Sequence, residues 1–213
     1  MERFGIDEAG KGPVLGPMVA ACVVAPEGAL PEGIDDSKRL APARREELAR
    51  RLRKDDRITV GFAAVTPDRI DAPDTDMNTL TVAAHAEAAR EVVERGMTGI
   101  CDAGDVNAAR FVRRVGEHLP EGVALDGEHG ADGNHVIVGA ASVVAKVERD
   151  RRVRELESEY GEVGSGYPSD PRTRAFLAEY VAEHGDLPAC ARSSWKTCAD
   201  VLAAAEQETL AEF

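Results

Sequence analysis

Apolar and polar positions along the chain fall into short runs that switch between a period of two and a helical period. Arg3 to Ala9 and Met18 to Ala25 read as strands, the second (Met-Val-Ala-Ala-Cys-Val-Val-Ala) with no polar break. The Gly- and Pro-rich stretch between them predicts that the two pair. Ala41 to Leu52 has the composition and spacing of a helix, with Asp36 or Ser37 upstream as a candidate cap. Arg57 to Val65 alternates as a third strand. A turn rich in Asp and Pro (Thr66 to Asp76) precedes a helix from about Asn78 to Glu94, which ends near Gly96. Gly99 onward is a short apolar strand ending in acids, followed by a helix through Arg113. Val123 to Leu125 reads as a last strand, with Asp126, Glu128, His129 and Asp132 in the loop after it. Val136 to Tyr160 is a long helix that opens with the small residues Gly139 to Ser142. Strands first in a hairpin and then alternating with helices predict an α/β domain with a mixed sheet of five strands flanked by helices.

Length and composition narrow the class. The chain has 213 residues, 43% of them hydrophobic, enough for one domain with a good core. No run approaches the roughly 20 apolar residues of a membrane-spanning helix, and no signal peptide precedes the first strand. Cys22, Cys101, Cys190 and Cys198 lack a Cys-x-x-Cys spacing, so free thiols in a reducing cytoplasm are expected. The net charge of −13 argues at first against a nucleic-acid partner. Its kind changes that inference. The chain has only five lysines (Lys11, Lys38, Lys54, Lys146, Lys196) amid many acids, alanines and valines, which suggests a salt-filled cytoplasm. There the long-range field is screened within a few ångströms, and an acidic exterior can coexist with a cationic groove.

Candidate chemistry begins where the first strand ends. Asp7 and Glu8 are followed by Gly10-Lys11-Gly12. Adjacent carboxylates invite a divalent cation, and glycine backbone beside a lysine invites a phosphate backbone. A strand running into a Gly-Pro loop with two solvated acids fits the same residues. The spacing of a Walker A loop is absent. Two further strand ends carry acids: Asp102 with Asp105, and the loop from Asp126 to Asp132. Carboxylates converging from separate strands at one sheet edge are what a hard-metal site requires. The five histidines show no zinc spacing, and of them only His129 and His135 fall near the proposed site.

Six segments together resemble type 2 ribonuclease H in its archaeal form: Ile6 to Pro13, Asp36-Ser37-Lys38, Asp102 to Val106, Ala131-Asp132, Ala140 to Val147 with Arg149-Asp150, and Gly164 to Asp170. The resemblance runs from residue 4 to about 197. It implies the ribonuclease H fold and a metal-dependent endonuclease that cuts the RNA strand of RNA–DNA hybrids and incises duplex DNA at embedded ribonucleotides. It implies Asp7, Glu8, Asp102 and Asp132 as catalytic acids and ligands of two Mg²⁺ or Mn²⁺ ions, about 4 Å apart, with 5′-phosphate and 3′-hydroxyl products. Gly10, Lys11 and Gly12 correspond to the turn that contacts the nucleic-acid backbone. Lys11 stands where the commoner pattern has arginine, keeping the charge but losing the bidentate fork. Tyr167 corresponds to the tyrosine that packs on the ribonucleotide and helps sense its 2′-hydroxyl. Lys38 and Lys146 are candidate phosphate contacts, with a structural salt bridge as the alternative for either. Another nuclease of the same fold, or a catalytically silent nucleic-acid-binding protein, are the competing readings. The Gly-Lys-Gly turn with the distant Gly-Ser-Gly-Tyr loop disfavours the first, and the intact four acids disfavour the second.

The expected organisation is a catalytic domain over 1–197 and a helical C-terminal extension over 198–213, in a monomeric, cytoplasmic protein. Gln207, Leu210 and Phe213 resemble the short motif by which replication and repair enzymes dock on the sliding clamp. Leu210 and Phe213 would share one face of a helical turn. The motif is partial, because it usually ends in two aromatics; the alternative is a tail whose Leu and Phe pack back on the domain.

Overall fold

The structure, a computed structural model, describes residues 2–34 and 40–211, with side chains as far as Gln207. Asp36, Ser37, Lys38 and Phe213 therefore lie outside the described residues, as does the side chain of Leu210. The described residues form two compact units. The first comprises the described residues within 1–9, 18–64 and 76–149, and the second those within 10–17, 65–75 and 150–213.

The first unit is built on a five-stranded mixed sheet in the order β3-β2-β1-β4-β5, from β1 (Glu2–Ala9), β2 (Met18–Pro26), β3 (Thr59–Val65), β4 (Thr98–Asp102) and β5 (Ala124–Glu128). β1 runs antiparallel to β2 and parallel to β4, and β4 runs parallel to β5. Eight of the nine β2 residues are buried, which explains its unbroken apolar run: helices cover both faces of the sheet. One face packs on α1 (Pro42–Lys54) and the start of α6 (Val136–Tyr160). There Ala21, Val23 and Ala25 meet Leu48, Leu52, Ala141 and Val144. Against the other face lie α3 (Met77–Arg90) and α4 (Ala108–Gly116).

Strand alternation sorts β1 between these faces. Gly5 turns toward α6 so closely that a Cβ there would lie 2.5 Å from the Ile137 carbonyl. Asp7 and Ala9 share that face, whereas Phe4, Ile6 and Glu8 point toward α3 and α4. A second close contact falls at the start of α6, where a Cβ on Gly139 would sit 3.0 Å from the Asp132 carbonyl oxygen.

Several boundaries differ from the sequence expectation. α1 starts at Pro42 behind an extended Ala41 with no side-chain cap; a proline at the first helical position needs no donor satisfied. α3 ends at Arg90, four residues early, and Asp76 caps it by accepting from the amides of Asn78 and Thr79. β5 includes Asp126 and Glu128, which the sequence reading put in a loop, and Asp132 lies on the single helical turn α5 (Ala131–Asn134). The Asp- and Pro-rich turn holds one helical turn, α2 (Pro67–Ile70).

The second unit contains α7 (Pro171–His184), which the sequence reading did not assign, and α8 (Lys196–Ala211). Asp170 caps α7, and Gly185, with φ 74°, ends it. Val14, Leu15, Val163, Phe176 and Leu177 form its core. All four cysteines are free and buried, and no described helix is long and apolar enough to cross a membrane.

The closeness of β1 to α6 yields a stability prediction. Gly5→Ala should destabilise the protein by about 3 kcal/mol, because backbone rather than a movable side chain blocks the new methyl. Gly116→Ala, with nothing within 4 Å of its Cβ, should be neutral or gain up to about 1 kcal/mol. Urea unfolding of the two variants measures both, and equal midpoints would contradict the assigned packing.

Candidate active site

Three parallel strands end at one edge of the sheet, and that is what gathers the acids. The β1–β4 register ends with Ile6 opposite Cys101, so Asp7 and Asp102 follow side by side on neighbouring strands and on the α6 face. Asp132 arrives from the turn after β5. The Asp102 carboxylate accepts from the Gly130 amide at 2.8 Å and the Ala131 amide at 3.4 Å, which fixes the start of α5 and hence Asp132. Gly130 takes a left-handed conformation there, φ 71°, suited to glycine. One carboxylate oxygen from each of Asp7, Asp102 and Asp132 lies within 4.8 Å of the others.

Glu8 stands outside this group of three. Strand alternation sends it to the other face, where its Oε2 lies 2.7 Å from Nε2 of His85 on α3. His85 is fully buried and edge-packed on Phe111, with ring centroids 5.0 Å apart. The four predicted acids thus straddle the sheet edge, three on one side and one on the other.

The electrostatics are strained. Burial above all, then the Glu8 charge, holds the Asp7 carboxyl well above the usual carboxylate range; the Ser142 hydroxyl and the Lys146 charge pull it back in part. Burial also raises Asp102, opposed by the Gly130 amide and reinforced by Asp132 and Glu8. Lys146 donates to Ser142 one helical turn earlier, so this candidate phosphate contact sits among the acids' supporting groups. Oxygen-only donors, crowded and partly desolvated, fit a hard divalent cation, whose charge would relieve the repulsion.

The neighbouring acids are engaged otherwise. Asp105 is buried and held by Arg110 at 2.6 Å, which lowers its carboxyl. Asp126 accepts from the Gly127 amide. Glu128 accepts from Asn134 at 2.8 Å and pairs with His135 at 3.1 Å, while His129 contacts the Ala103 carbonyl. The sequence reading put His129 and His135 nearest the site. The histidine that touches a site acid is His85. Its signal was available: it falls on the buried stripe of α3 with Thr81 and Ala88, where a histidine is otherwise hard to place.

The predicted substrate-binding residues Gly10, Lys11, Gly12 and Tyr167 belong to the second unit. There the Gly166 carbonyl accepts from the amides of Val14, at 2.8 Å, and Leu15, at 3.2 Å. This ties the Tyr167 loop to the chain just after the Gly-Lys-Gly turn. Thr173, buried on α7, donates to the Val163 carbonyl and accepts from the Gly166 amide, both at 2.9 Å. Asp170 accepts from the Ser165 amide at 2.7 Å. The loop is thereby shaped from the α7 N-terminus, with Tyr167 partly exposed. Sequence reasoning also missed Arg192, fully buried in this unit. Gln207 is exposed on α8.

Comparison with known proteins gives the family and the fold. The Ribonuclease HII family profile matches residues 4–198. A ribonuclease HII from the halophile Haloarcula marismortui is 59% identical over 211 residues, covering 99% of this chain and 100% of the relative. The crystal structure of the ribonuclease H2 from Pyrococcus horikoshii superposes with a TM-score of 0.88 at 37% identity, covering 97% of this chain and all of that one. The ribonuclease HII of Archaeoglobus fulgidus, solved as a complex with PCNA, superposes with a TM-score of 0.83 at 38% identity, covering 93% and 96%. An acid-lined edge on this sheet and a profile match over nearly the whole chain lead to one conclusion: the chain belongs to the ribonuclease HII family of metal-dependent endoribonucleases.

Proposed function

We propose that this protein hydrolyses the RNA strand of RNA–DNA hybrids and incises duplex DNA at embedded ribonucleotides, leaving 5′-phosphate and 3′-hydroxyl ends. The observation that carries the reading is the grouping of Asp7, Asp102 and Asp132 within 4.8 Å, with Glu8 on the next residue of the same strand. These four residues would hold two Mg²⁺ or Mn²⁺ ions. Bound there, the ions would supply Lewis-acid chemistry, activating water and stabilising the leaving 3′-oxygen. Ser142 and Lys146 orient Asp7 and temper its charge, and His85 fixes the Glu8 carboxylate.

In this reading Gly10, Lys11 and Gly12 meet the nucleic-acid backbone, and Tyr167 packs on the ribose and senses the 2′-hydroxyl. Lys146 and Lys38 contribute positive charge toward the phosphates. The expected division is a catalytic part over 1–197 and a docking tail over 198–213. For the tail, the Archaeoglobus relative's complex with PCNA supports a sliding clamp as partner, engaged by Gln207, Leu210 and Phe213.

The test is cleavage of a DNA duplex carrying one ribonucleotide, beside the all-DNA duplex and a full hybrid, with product ends mapped. The protein should cut the first and third, leave the second intact, and stop in excess chelator. Tyr167→Ala should slow cutting at the single ribonucleotide by at least about tenfold, as loss of a stacking platform implies. Cutting of all-DNA duplex at a comparable rate would overturn the assignment, and an unchanged rate for the variant would remove Tyr167 from recognition.

A second measurement addresses the tail. Calorimetric titration with the cognate clamp should give binding for the full chain and none for a chain ending at Glu206. Equal binding by both, or by neither, would assign the tail to packing on the domain.

A further inference from the structure

Arg192 is the largest fully buried side chain among the described residues, with 0% of its surface exposed. A guanidinium taken out of water must find acceptors, and this one finds them in the Gly-Lys-Gly turn. Its Nη2 donates to the Gly10 carbonyl at 2.6 Å, Nη1 to the Lys11 carbonyl at 3.0 Å, and Nε to the Gly16 carbonyl at 3.0 Å. The next carbonyl, of Gly12, accepts from the Trp195 indole at 3.3 Å, and that ring lies under the guanidinium at 5.1 Å. The segment is itself fixed in place. The Arg192 amide donates to the Val14 carbonyl and the Gly16 amide to the Cys190 carbonyl, each at 2.8 Å. Three successive carbonyls, 10, 11 and 12, are thus bound by two side chains three residues apart.

Peptide planarity converts this into a statement about the other side of the turn. No peptide here is cis, and in a trans peptide the C=O and the following N–H point in opposite directions. With the carbonyls of Gly10 and Lys11 drawn to the guanidinium, the amides of Lys11 and Gly12 are aimed away from it. The third carbonyl precedes Pro13, which has no N–H. The result is a pair of adjacent amides beside a lysine, the geometry that accepts one oxygen of an anion. Gly12 supplies an independent sign that something external approaches here. It is exposed, has no positive φ, and would meet nothing within 4 Å if given a Cβ. The protein's own packing does not explain that glycine, whereas a closely approaching ligand backbone does.

We infer that Arg192, assisted by Trp195, is the positioning residue of the Gly10–Gly12 turn, holding its carbonyls inward so that its two amides face a phosphodiester of the substrate. The inference rests on the reading that this turn meets the nucleic-acid backbone. Arg192 acts through the backbone it binds, so its loss separates binding from chemistry. Lysine retains the buried charge but replaces a rigid fork reaching three carbonyls by one compact ammonium.

Steady-state kinetics on the duplex with one ribonucleotide provide the test, with circular dichroism as a check of fold. Arg192→Lys should raise KM by roughly tenfold, the scale of one charge-assisted contact to phosphate, and leave kcat within about twofold. Trp195→Phe keeps a ring under the guanidinium and removes only the indole donor, and it should raise KM about threefold, on the scale of a neutral hydrogen bond. Gly12→Val and Lys11→Met probe the turn itself, and each should raise KM. If both leave KM unchanged, the turn does not meet the substrate, and the inference fails together with that reading. If both raise KM while Arg192→Lys and Trp195→Phe keep the wild-type value, the reading stands and the positioning role is wrong. If circular dichroism shows Arg192→Lys to be partly unfolded, so that its apparent kcat falls with the active fraction, Trp195→Phe decides, and its unchanged KM would overturn the role.

Discussion

Like charges held together out of water are the constraint on which the first unit depends. Parallel pairing of β1 with β4 and of β4 with β5 forces three strand ends to one edge, and the residues at those ends are acids. Coulomb repulsion at such spacing, in a partly buried site, amounts to several kcal/mol and opposes the fold. The surroundings are arranged against it. The Gly130 amide points at Asp102, Ser142 and Lys146 act on Asp7, and His85 holds Glu8 on the opposite face. Each is positioned by an element that the acids do not themselves create: a left-handed glycine, the close approach of α6, and the buried stripe of α3.

Much of this was legible in the sequence because the signals were local. The unbroken apolar run of β2 has the length of a strand, and the acids at the ends of β1 and β4 marked strand ends. The turn at Asp132 was less legible: only two residues separate β5 from α5, and a single helical turn leaves no periodicity to read. α7 escaped because its apolar positions are diluted by arginines and glutamates, although Asp170-Pro171 at its start and Gly185 at its end are ordinary helix punctuation. His85 and Arg192 escaped for a different reason. Each meets its partners across a long stretch of chain, 77 residues from Glu8 and 182 from Gly10, and no local pattern encodes such a pairing. A buried polar side chain in an apolar stripe nevertheless implies a partner, and that inference can be made before the partner is known.

The second unit solves a complementary problem. On the proposed function, a protein of net charge −13 must present a surface acceptable to phosphate without long-range attraction to help it. Backbone amides and single cations at short range remain, and these are insensitive to net charge. In that reading the turn at Gly10–Gly12, its carbonyls held by the buried Arg192 guanidinium, is a device of that kind. The relative from Haloarcula, a halophile, is in line with the expectation from composition that high salt screens the acidic exterior.

The central claim is that the three aspartates form a cation site, and thermal unfolding tests it without any substrate. In the metal-free protein a raised Asp7 favours the folded state at low pH, and this contribution is lost as pH rises through its folded pKa, because the unfolded chain then ionises more readily. A bound cation reverses that sign, so its stabilisation should grow with pH over the same range. At neutral pH, Mn²⁺ at about 100 times its dissociation constant should contribute about 2.7 kcal/mol, a rise in Tm of roughly 5–10 °C for a protein of this size. The account predicts that rise for the wild type and little or none for Asp102→Asn. An equal rise in both proteins, or none in the wild type, would contradict it.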